Sequence, residues 1–541
     1  MSNKVYLIST GMPGQNEAFE EPGINVIASY LRYRGYDVSI KLVLEDVFDI
    51  NEIKQDSPIL IGFSVYTDTY DRIRNMCRLI KQNIGNAFIV LGGYVPTYYP
   101  KEVLRDIPEA DAVTMGEGEI PTAELADYLS GTGTIKEVHN LVYREDGIVV
   151  YNEKVPLIAD LDAMPYAARD IAQKYDPSEI WISTSRGCTR NCAFCCSQDF
   201  WGRKESHNWR GRSVENIIGE IKALVDDYGI RQFEFIDNSF EDPYPYMSRA
   251  INISKAIIQE DLKVSFGANM RAETCAKMPD DDINLLKRAG FSYVYLGIEG
   301  FSPNSLKVYQ KSANVEQNKL ALSFLDKHGI PVDIGFINFN PYSTFSDLAE
   351  NVQNLKEFGL AYLQYILTFL FVFRGTRLYH RVKEDNLLYR DEGVEDFLCY
   401  HYLDSRVEEF ANYLIRKKDD ITNRGVMNEG FFIVHFRKKS AQLVNLMKQY
   451  DFYDAEMASY IDEVLSLVES ERKYINEIAT EWFLDVLNLA QTGLDEAEAD
   501  KLTETMIVRL SENKYEELKK MKAVLYGKAY KKFFKAGLRI K

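Results

Sequence analysis

The chain has 541 residues, of which 46% are apolar, 13% aromatic and 27% charged. This composition supports large buried cores and excludes a disordered, collagen-like or disulfide-stapled chain. The formal charge of −17, from 64 Lys and Arg against 81 Asp and Glu, argues against broad nucleic-acid binding, which needs a positive surface.

At about 150 residues per domain, the length predicts three or four domains. Residues 1–140 alternate strand and helix, with strands expected at 5–8, 38–42, 59–64, 88–91 and 110–115. A loop with Gly11, Pro13 and Gly14 follows the first strand. Ile24, Ile27, Ala28 and Leu31 share one helical face that stops at Gly35, and Tyr70, Ile73, Met76, Cys77 and Ile80 share another. This alternation predicts an α/β, doubly wound, Rossmann-like parallel sheet. Such sheets bind ligands at the carboxyl ends of their strands. Those ends carry Ser64, Tyr66 and Thr67, then Gly92, Gly93 and Thr97, then Gly116, Glu117 and Gly118.

Residues 141–175 read as a linker, beginning in a hairpin-like stretch. A second alternating series occupies 176–385. Strands are expected at 180–183, 232–236, 264–268, 293–298, 332–339 and 365–373, and Ser213 is the expected N-cap of a helix that ends at Gly229. Six such units predict a partial (β/α)6 barrel. The run at 365–373 is about half of the ~20 residues a membrane span requires, so it reads as a buried strand. The first residues lack an apolar run of signal-peptide length, which leaves the reducing cytoplasm as the expected location. Residues 386–541 read as a helical domain. After Glu517 there are nine Lys or Arg and no acid, leaving −26 of the −17 total on the preceding residues. Tyr526, Tyr530, Phe533 and Phe534 recur there at near-helical spacing. That pattern suits either an acidic partner or membrane surface, or a helix whose cations complement its dipole and whose aromatics pack on the barrel. The second reading is preferred.

Four of the seven cysteines fall within nine positions, in Arg186-Gly187-Cys188-Thr-Arg-Asn-Cys192-Ala-Phe194-Cys195-Cys196. The spacing is CxxxCxxC on a loop after a strand. Clustered thiols in a reducing compartment point to metal chemistry, and thiolates suit zinc or iron–sulfur. Structural zinc calls for a fourth ligand and a second knuckle, whereas Cys77, Cys275 and Cys399 are isolated. Three thiolates suit a [4Fe–4S] cluster with one open iron. Cys196 reads as a bystander.

With Phe194 as the aromatic of CxxxCxΦC, the sequence resembles the radical S-adenosylmethionine (SAM) superfamily. Arg212-Ser213-Val-Glu215, the acidic strand end at Asp237, Gly297-Ile298-Glu299-Gly300 and Arg374-Gly-Thr376 extend the likeness. Gly62-Phe-Ser64, the Gly92-Gly93 loop and Gly116-Glu-Gly-Glu119 resemble the cobalamin-binding domain that precedes the barrel in one subgroup. The resemblance covers residues 1–385. It implies that Cys188, Cys192 and Cys195 hold a [4Fe–4S] cluster, that SAM binds its open iron, and that one electron releases a 5′-deoxyadenosyl radical. An electron donor such as flavodoxin or ferredoxin is implied as a partner, with a small molecule or peptide as substrate. The N-terminal residues named above become candidate cobalamin contacts.

For SAM, the resemblance puts forward Phe194, Asp237 for the ammonium, Asn269 and Arg271 for the carboxylate, and Glu299 for a ribose hydroxyl. Arg is a natural bidentate partner for a carboxylate, though a salt bridge within the protein is the competing role. No Asp-x-His-x-x-Gly motif is present, so bound cobalamin would lack a His lower ligand. The scattered His207, His328, His380, His401 and His435 carry no assignment. The expected activity is C-methylation of an unactivated carbon. Cyclisation, rearrangement or epimerisation without methyl transfer is the second reading, and a non-catalytic cobalamin or redox sensor the third.

Overall fold

The structure, a computed structural model, describes residues 3–10, 20–44, 49–175, 180–201, 209–243, 247–389, 399–536 and 538. The expected loop with Gly11, Pro13 and Gly14, and His207, lie outside the described residues.

Seven strands form the N-terminal sheet: β1 (Lys4–Thr10), β2 (Asp37–Val43), β3 (Leu60–Ser64), β4 (Phe88–Gly92), β5 (Ala112–Thr114), β6 (Leu141–Glu145) and β7 (Ile148–Tyr151). Their order is 2-1-3-4-5-6-7, with the first five parallel and the last two antiparallel. Alternate residues of β1 enter different cores. Tyr6 and Ile8 pack with Ile73, Met76 and Ile80 of the Tyr70–Asn83 helix, whereas Val5 and Leu7 pack with Ile24, Ala28 and Leu31 of the Pro22–Tyr33 helix. Burial on both faces explains the apolar character of these strands. The sheet runs past residue 140, because the β6–β7 hairpin pairs with β5; the linker therefore begins after Tyr151.

The second sheet is parallel, with order β14-β13-β12-β11-β8. Its strands are β8 (Trp181–Ile182), β11 (Gln232–Phe235), β12 (Ser265–Arg271), β13 (Phe291–Glu299) and β14 (Val332–Phe336); β9 (Ser185–Arg186) and β10 (Arg210–Gly211) form a small antiparallel ribbon between β8 and β11 in the chain. The Val214–Tyr228 helix has the expected ends. The Ser213 hydroxyl accepts from the Asn216 N–H at 3.1 Å, and Gly229 takes φ +69°.

The sixth strand is a correction. Residues Leu363–Ile366 are helical, and only Phe369 bridges Phe339 in the place of a sixth strand. The run is apolar for a different reason. Phe369 stacks on Phe339, which also packs against Phe410 and Phe483 of the C-terminal helices. Hydrophobicity here reports contact with another domain, and sheet pairing is not its source.

From Ser405 the chain is helical, in Ser405–Asn423, Asn428–Gln449, Ala455–Thr492, Glu496–Ser511 and Tyr515–Lys535. These helices share one apolar core with the barrel. The Asn428–Gln449 helix packs on β12, β13 and β14. Its buried Lys438 pairs with Glu234 of β11 and lies 4.9 Å over the Tyr293 ring, and Gln449 donates to the Val264 carbonyl at 2.8 Å. The C-terminal domain thus supports the barrel strands.

Candidate cofactor cleft and cysteine loop

Between the N-terminal sheet and the barrel lies a cleft of about 1280 Å³, its open mouth included. It sits where the order 2-1-3 reverses, the place at which doubly wound sheets bind ligands. Leu7, Ile24, Ile27 and Val90 give it an apolar floor. Missing side chains make the room. A Cβ on Gly62 would come within 2.8 Å of Leu7 Cδ2, one on Gly92 within 2.9 Å of Thr114 Oγ1, and one on Gly118 within 2.6 Å of Ile27 Cδ1. Gly93 takes φ +99°, a conformation that favours glycine. An apolar floor that bare backbone approaches this closely suits a large cofactor.

Of the nine N-terminal candidates, Ser64, Tyr66, Gly92, Gly93, Gly116, Glu117 and Gly118 line this cleft. Thr97 works behind it, its hydroxyl donating to the Gly93 carbonyl at 2.7 Å and accepting from the Gly116 N–H at 3.0 Å, so it ties two glycine loops together. Thr67 opens a short 3-10 turn outside the lining. The Glu117 carboxylate faces the barrel and not a ligand. It meets Arg186 at 2.5 Å and Arg210 at 3.1 Å, and Glu119 meets Arg186 at 2.5 Å. These arginines hold Glu117 below the usual carboxylate range although burial opposes it. Tyr94, which follows the Gly92-Gly93 loop in sequence, also lines the cleft, as do Phe200 and Trp201, which nothing in the sequence pattern singled out.

The cysteine loop leaves β9 beside this cleft. Backbone bonds fix it on both sides: Ala193 N–H donates to the Tyr309 carbonyl at 2.8 Å, and Leu378 N–H donates to the Ala193 carbonyl at 2.9 Å. Phe194 packs edge-on against Tyr309, with centroids 5.4 Å apart; it shapes the loop from within the core. Thr189 donates its hydroxyl to Asp242 at 2.7 Å. All seven cysteines are free thiols. Burial raises the Cys188 and Cys192 thiols to about 11, with Asp242 and Glu299 adding to the respective shifts. Bare thiols there stay neutral at pH 7, and a bound cation is what would turn them into thiolates. Among the described residues no three metal-binding side chains already converge as a cage; spacing and loop position carry this assignment.

The SAM candidates surround the loop but divide into two groups. Asp237 is buried and turns away from the mouth. Its carboxylate accepts from the Thr184 and Ser185 N–H groups at 2.7 and 2.8 Å and from the Thr184 hydroxyl, with Arg249 at 3.7 Å. The expectation of a carboxylate free for an ammonium gives way to a clamp on the β8–β9 turn. Asn269 donates to the Asp237 carbonyl at 2.9 Å and belongs to the same clamp. Arg271 is bound to Asp242 at 2.6 Å and Glu241 at 3.1 Å, so the salt-bridge role is the one seen; its Nη1 lies 3.9 Å from Cys188 Sγ. Glu299 does face the loop. A register shift next to Gly297 and a φ of +58° re-aim it at the end of β13, and Lys311 meets it at 3.0 Å. Lys311 is a buried cation beside Cys192, suited to neutralise an anionic ligand group. Nothing in its sequence context singled it out.

Two aromatic contacts join cleft and loop. Tyr94 packs on Phe200 with centroids 4.6 Å apart, and Tyr98 donates to the Cys196 carbonyl. Cys196, set aside as a ligand, thus serves through its backbone.

The B12 binding domain family matches residues 17–126, and the Radical SAM superfamily matches residues 182–355. The chain is 32% identical over 377 residues to "Uncharacterized methyltransferase PH0819" of Pyrococcus horikoshii, covering 68% of this chain and 79% of the relative. The chain belongs to the B12-binding radical SAM family. Its cofactors are those of the family: cobalamin, SAM and a [4Fe–4S] cluster. It is also 28% identical over 280 residues to the anaerobic magnesium-protoporphyrin IX monomethyl ester cyclase of Synechocystis sp., covering 50% of this chain and 54% of the relative. The fold is shared with the cobalamin-dependent SAM radical enzyme OxsB, at a TM-score of 0.65 and 20% identity over 100% of this chain and 82% of that one. Among the described residues no helix is long and apolar enough to cross a membrane.

Proposed function

We propose that this B12-binding radical SAM enzyme is a C-methyltransferase acting on an unactivated carbon of a small molecule or peptide. One observation carries the reading. The glycine-cradled cleft is shared between the domains, since Ser183, Ser185, Arg186, Ile236 and Asn238 of the barrel complete its lining. A cofactor seated there would border the barrel mouth and the cysteine loop, close enough to act on a substrate held between them. When bound, the cluster with SAM supplies hydrogen-atom abstraction and cobalamin supplies a transferable methyl group.

The chain's own residues position and shield. Ser64, Tyr66 and the glycine loops at 92–93 and 116–118 would cradle cobalamin, and Cys188, Cys192 and Cys195 would hold the cluster. Asp237, Thr184 and Asn269 set the β8–β9 turn, so the cysteine loop starts from a fixed point. Arg271, held by Glu241 and Asp242, and Lys311, held by Glu299, flank it as ion pairs. Tyr94, Phe200 and Trp201 wall the shared cleft with rings that exclude water from a reactive site. The absence of an Asp-x-His-x-x-Gly motif fits a cobalamin that gives up a methyl group.

The cyclase among the relatives keeps cyclisation without methyl transfer as the second reading. Anaerobic protein incubated with methyl-labelled SAM, cobalamin and a reductant separates the two. Methyl transfer predicts label on cobalamin together with S-adenosylhomocysteine. Formation of 5′-deoxyadenosine alone, with unlabelled cobalamin, would favour cyclisation or rearrangement.

A further inference from the structure

The basic C-terminal segment is used on both sides. On the inner side of the Tyr515–Lys535 helix, Leu518, Leu525, Ala529 and Phe533 are buried. Phe533 packs edge-on against Tyr450 and Phe452, with centroids 5.7 and 5.0 Å away. The helix is thus packed on the protein, but through Phe533 and against the C-terminal domain, where the sequence led us to expect its aromatics on the barrel. The outer side is exposed among the described residues. Ala523, Gly527, Tyr530 and Phe534 recur in steps of four, three and four residues, which places them in one column along the helix. Tyr530 is 45% exposed and Phe534 80%; Val524, in the next column, is 46% exposed. Lys520, Lys531 and Lys535 run in that same adjoining column and form no ion pair among the described residues. Lys519, Lys528 and Lys532, by contrast, are paired with Glu516, Glu456 and Asp454.

We propose that this outer face docks the enzyme on an anionic lipid surface. Three features select that partner. A ring as exposed as Phe534 beside unpaired lysines is the pattern of an interfacial helix, where rings enter the acyl boundary and lysines reach lipid phosphates. A second copy of this chain is disfavoured, because pairing these faces would set lysine rows of one sign against each other. The rest of the chain, at −26, is repelled by the same surface, which orients the enzyme with this helix towards the lipid.

The test is flotation of the full-length protein with vesicles of phosphatidylcholine alone and of phosphatidylcholine with phosphatidylglycerol in equal parts. Binding is expected on the mixed vesicles at low salt, with little on the neutral ones and release at high salt. Reversing charge in K520E/K531E/K535E should weaken binding by about tenfold or more, and Phe534→Ala should weaken it severalfold at unchanged charge. These positions are exposed, so thermal melts should match the parent. No binding to the mixed vesicles, or equal binding by the charge-reversed protein, overturns the proposal. A dimer disrupted by Phe534→Ala, or capture by an acidic protein with no vesicle binding, would assign the face to that partner instead.

Discussion

On its N-terminal side the cofactor cleft is built from side chains that are missing; on its barrel side it is bounded by charge. Gly62, Gly92 and Gly118 let the backbone approach within a Cβ's reach of Leu7, Thr114 and Ile27, so shape does the selecting. Around the barrel mouth, Arg186, Arg210, Arg212, Arg249 and Arg271 are each set against Glu117, Glu220, Asp237, Glu241 or Asp242. Two buried carboxylates of the N-terminal domain show what a partner decides. Glu21 is buried at the end of β1 with only neutral donors, the Ser9 hydroxyl at 2.9 Å and the Thr10 N–H at 3.1 Å. Burial raises it to about 8. Glu117, which faces the barrel, is instead held below the usual carboxylate range by Arg186 and Arg210 although burial opposes it. A glycine cradle tolerates charge poorly and volume not at all, whereas an ion network tolerates neither the loss of a partner nor its replacement by a neutral one.

The comparison can be broken at four points. The largest effect is expected in the cysteine loop. Alanine at Cys188, Cys192 or Cys195 should abolish the brown chromophore and the complement of about four irons, whereas Cys196→Ala should keep both, since Cys196 contributes its carbonyl; iron analysis and visible absorption decide this. Next comes the cradle. Gly92→Val should reduce cobalamin retention at least about tenfold while costing the fold only about 1–3 kcal/mol, measured by bound cobalt and by denaturant melts. Third, Arg186→Gln strips Glu119 of its ion partner and Glu117 of one of two. A loss of about 3–5 kcal/mol is expected, against near-neutral behaviour if the network were solvated. The smallest is Glu21→Gln. A carboxyl raised to about 8 binds its proton more tightly folded than unfolded. The parent therefore loses stability relative to the Gln variant as pH climbs from the ordinary carboxylate range to about 8, with a constant gap above that. Melts at pH 5 and pH 9 should differ in that gap by on the order of a few degrees.

Much of the scaffold was legible from local pattern. The five parallel N-terminal strands, the Ser213 cap and the Gly229 stop follow from periodicity and capping chemistry, which act over a few residues. The cysteine spacing was legible for the same reason, as were the glycine loops that line the cleft. The sixth barrel strand was misread because residues 365–373 pack on Phe339 and against the C-terminal helices, where Lys418 lies over the Phe369 ring, more than 30 positions away. Asp237, Asn269 and Glu117 were put forward as ligand contacts, yet in the structure their side chains are spent on protein partners, and Arg271 takes the salt-bridge role named as its alternative. A strand-end acid and a salt-bridged clamp look alike until their partners are known.

By itself, then, the sequence determined most of the elements, the parallel character of the N-terminal sheet, the cysteine spacing and the family, since each is encoded within a turn or a few strands. The tertiary structure decided which charges are spent inside the protein, that the cleft belongs to both domains, and that Lys311 stands beside Cys192. It also decided which side of the basic C-terminal helix is left exposed. Those facts depend on pairs of residues brought together across tens to hundreds of positions, and the free energy of burying a charge or a ring is set by the partner it finds there.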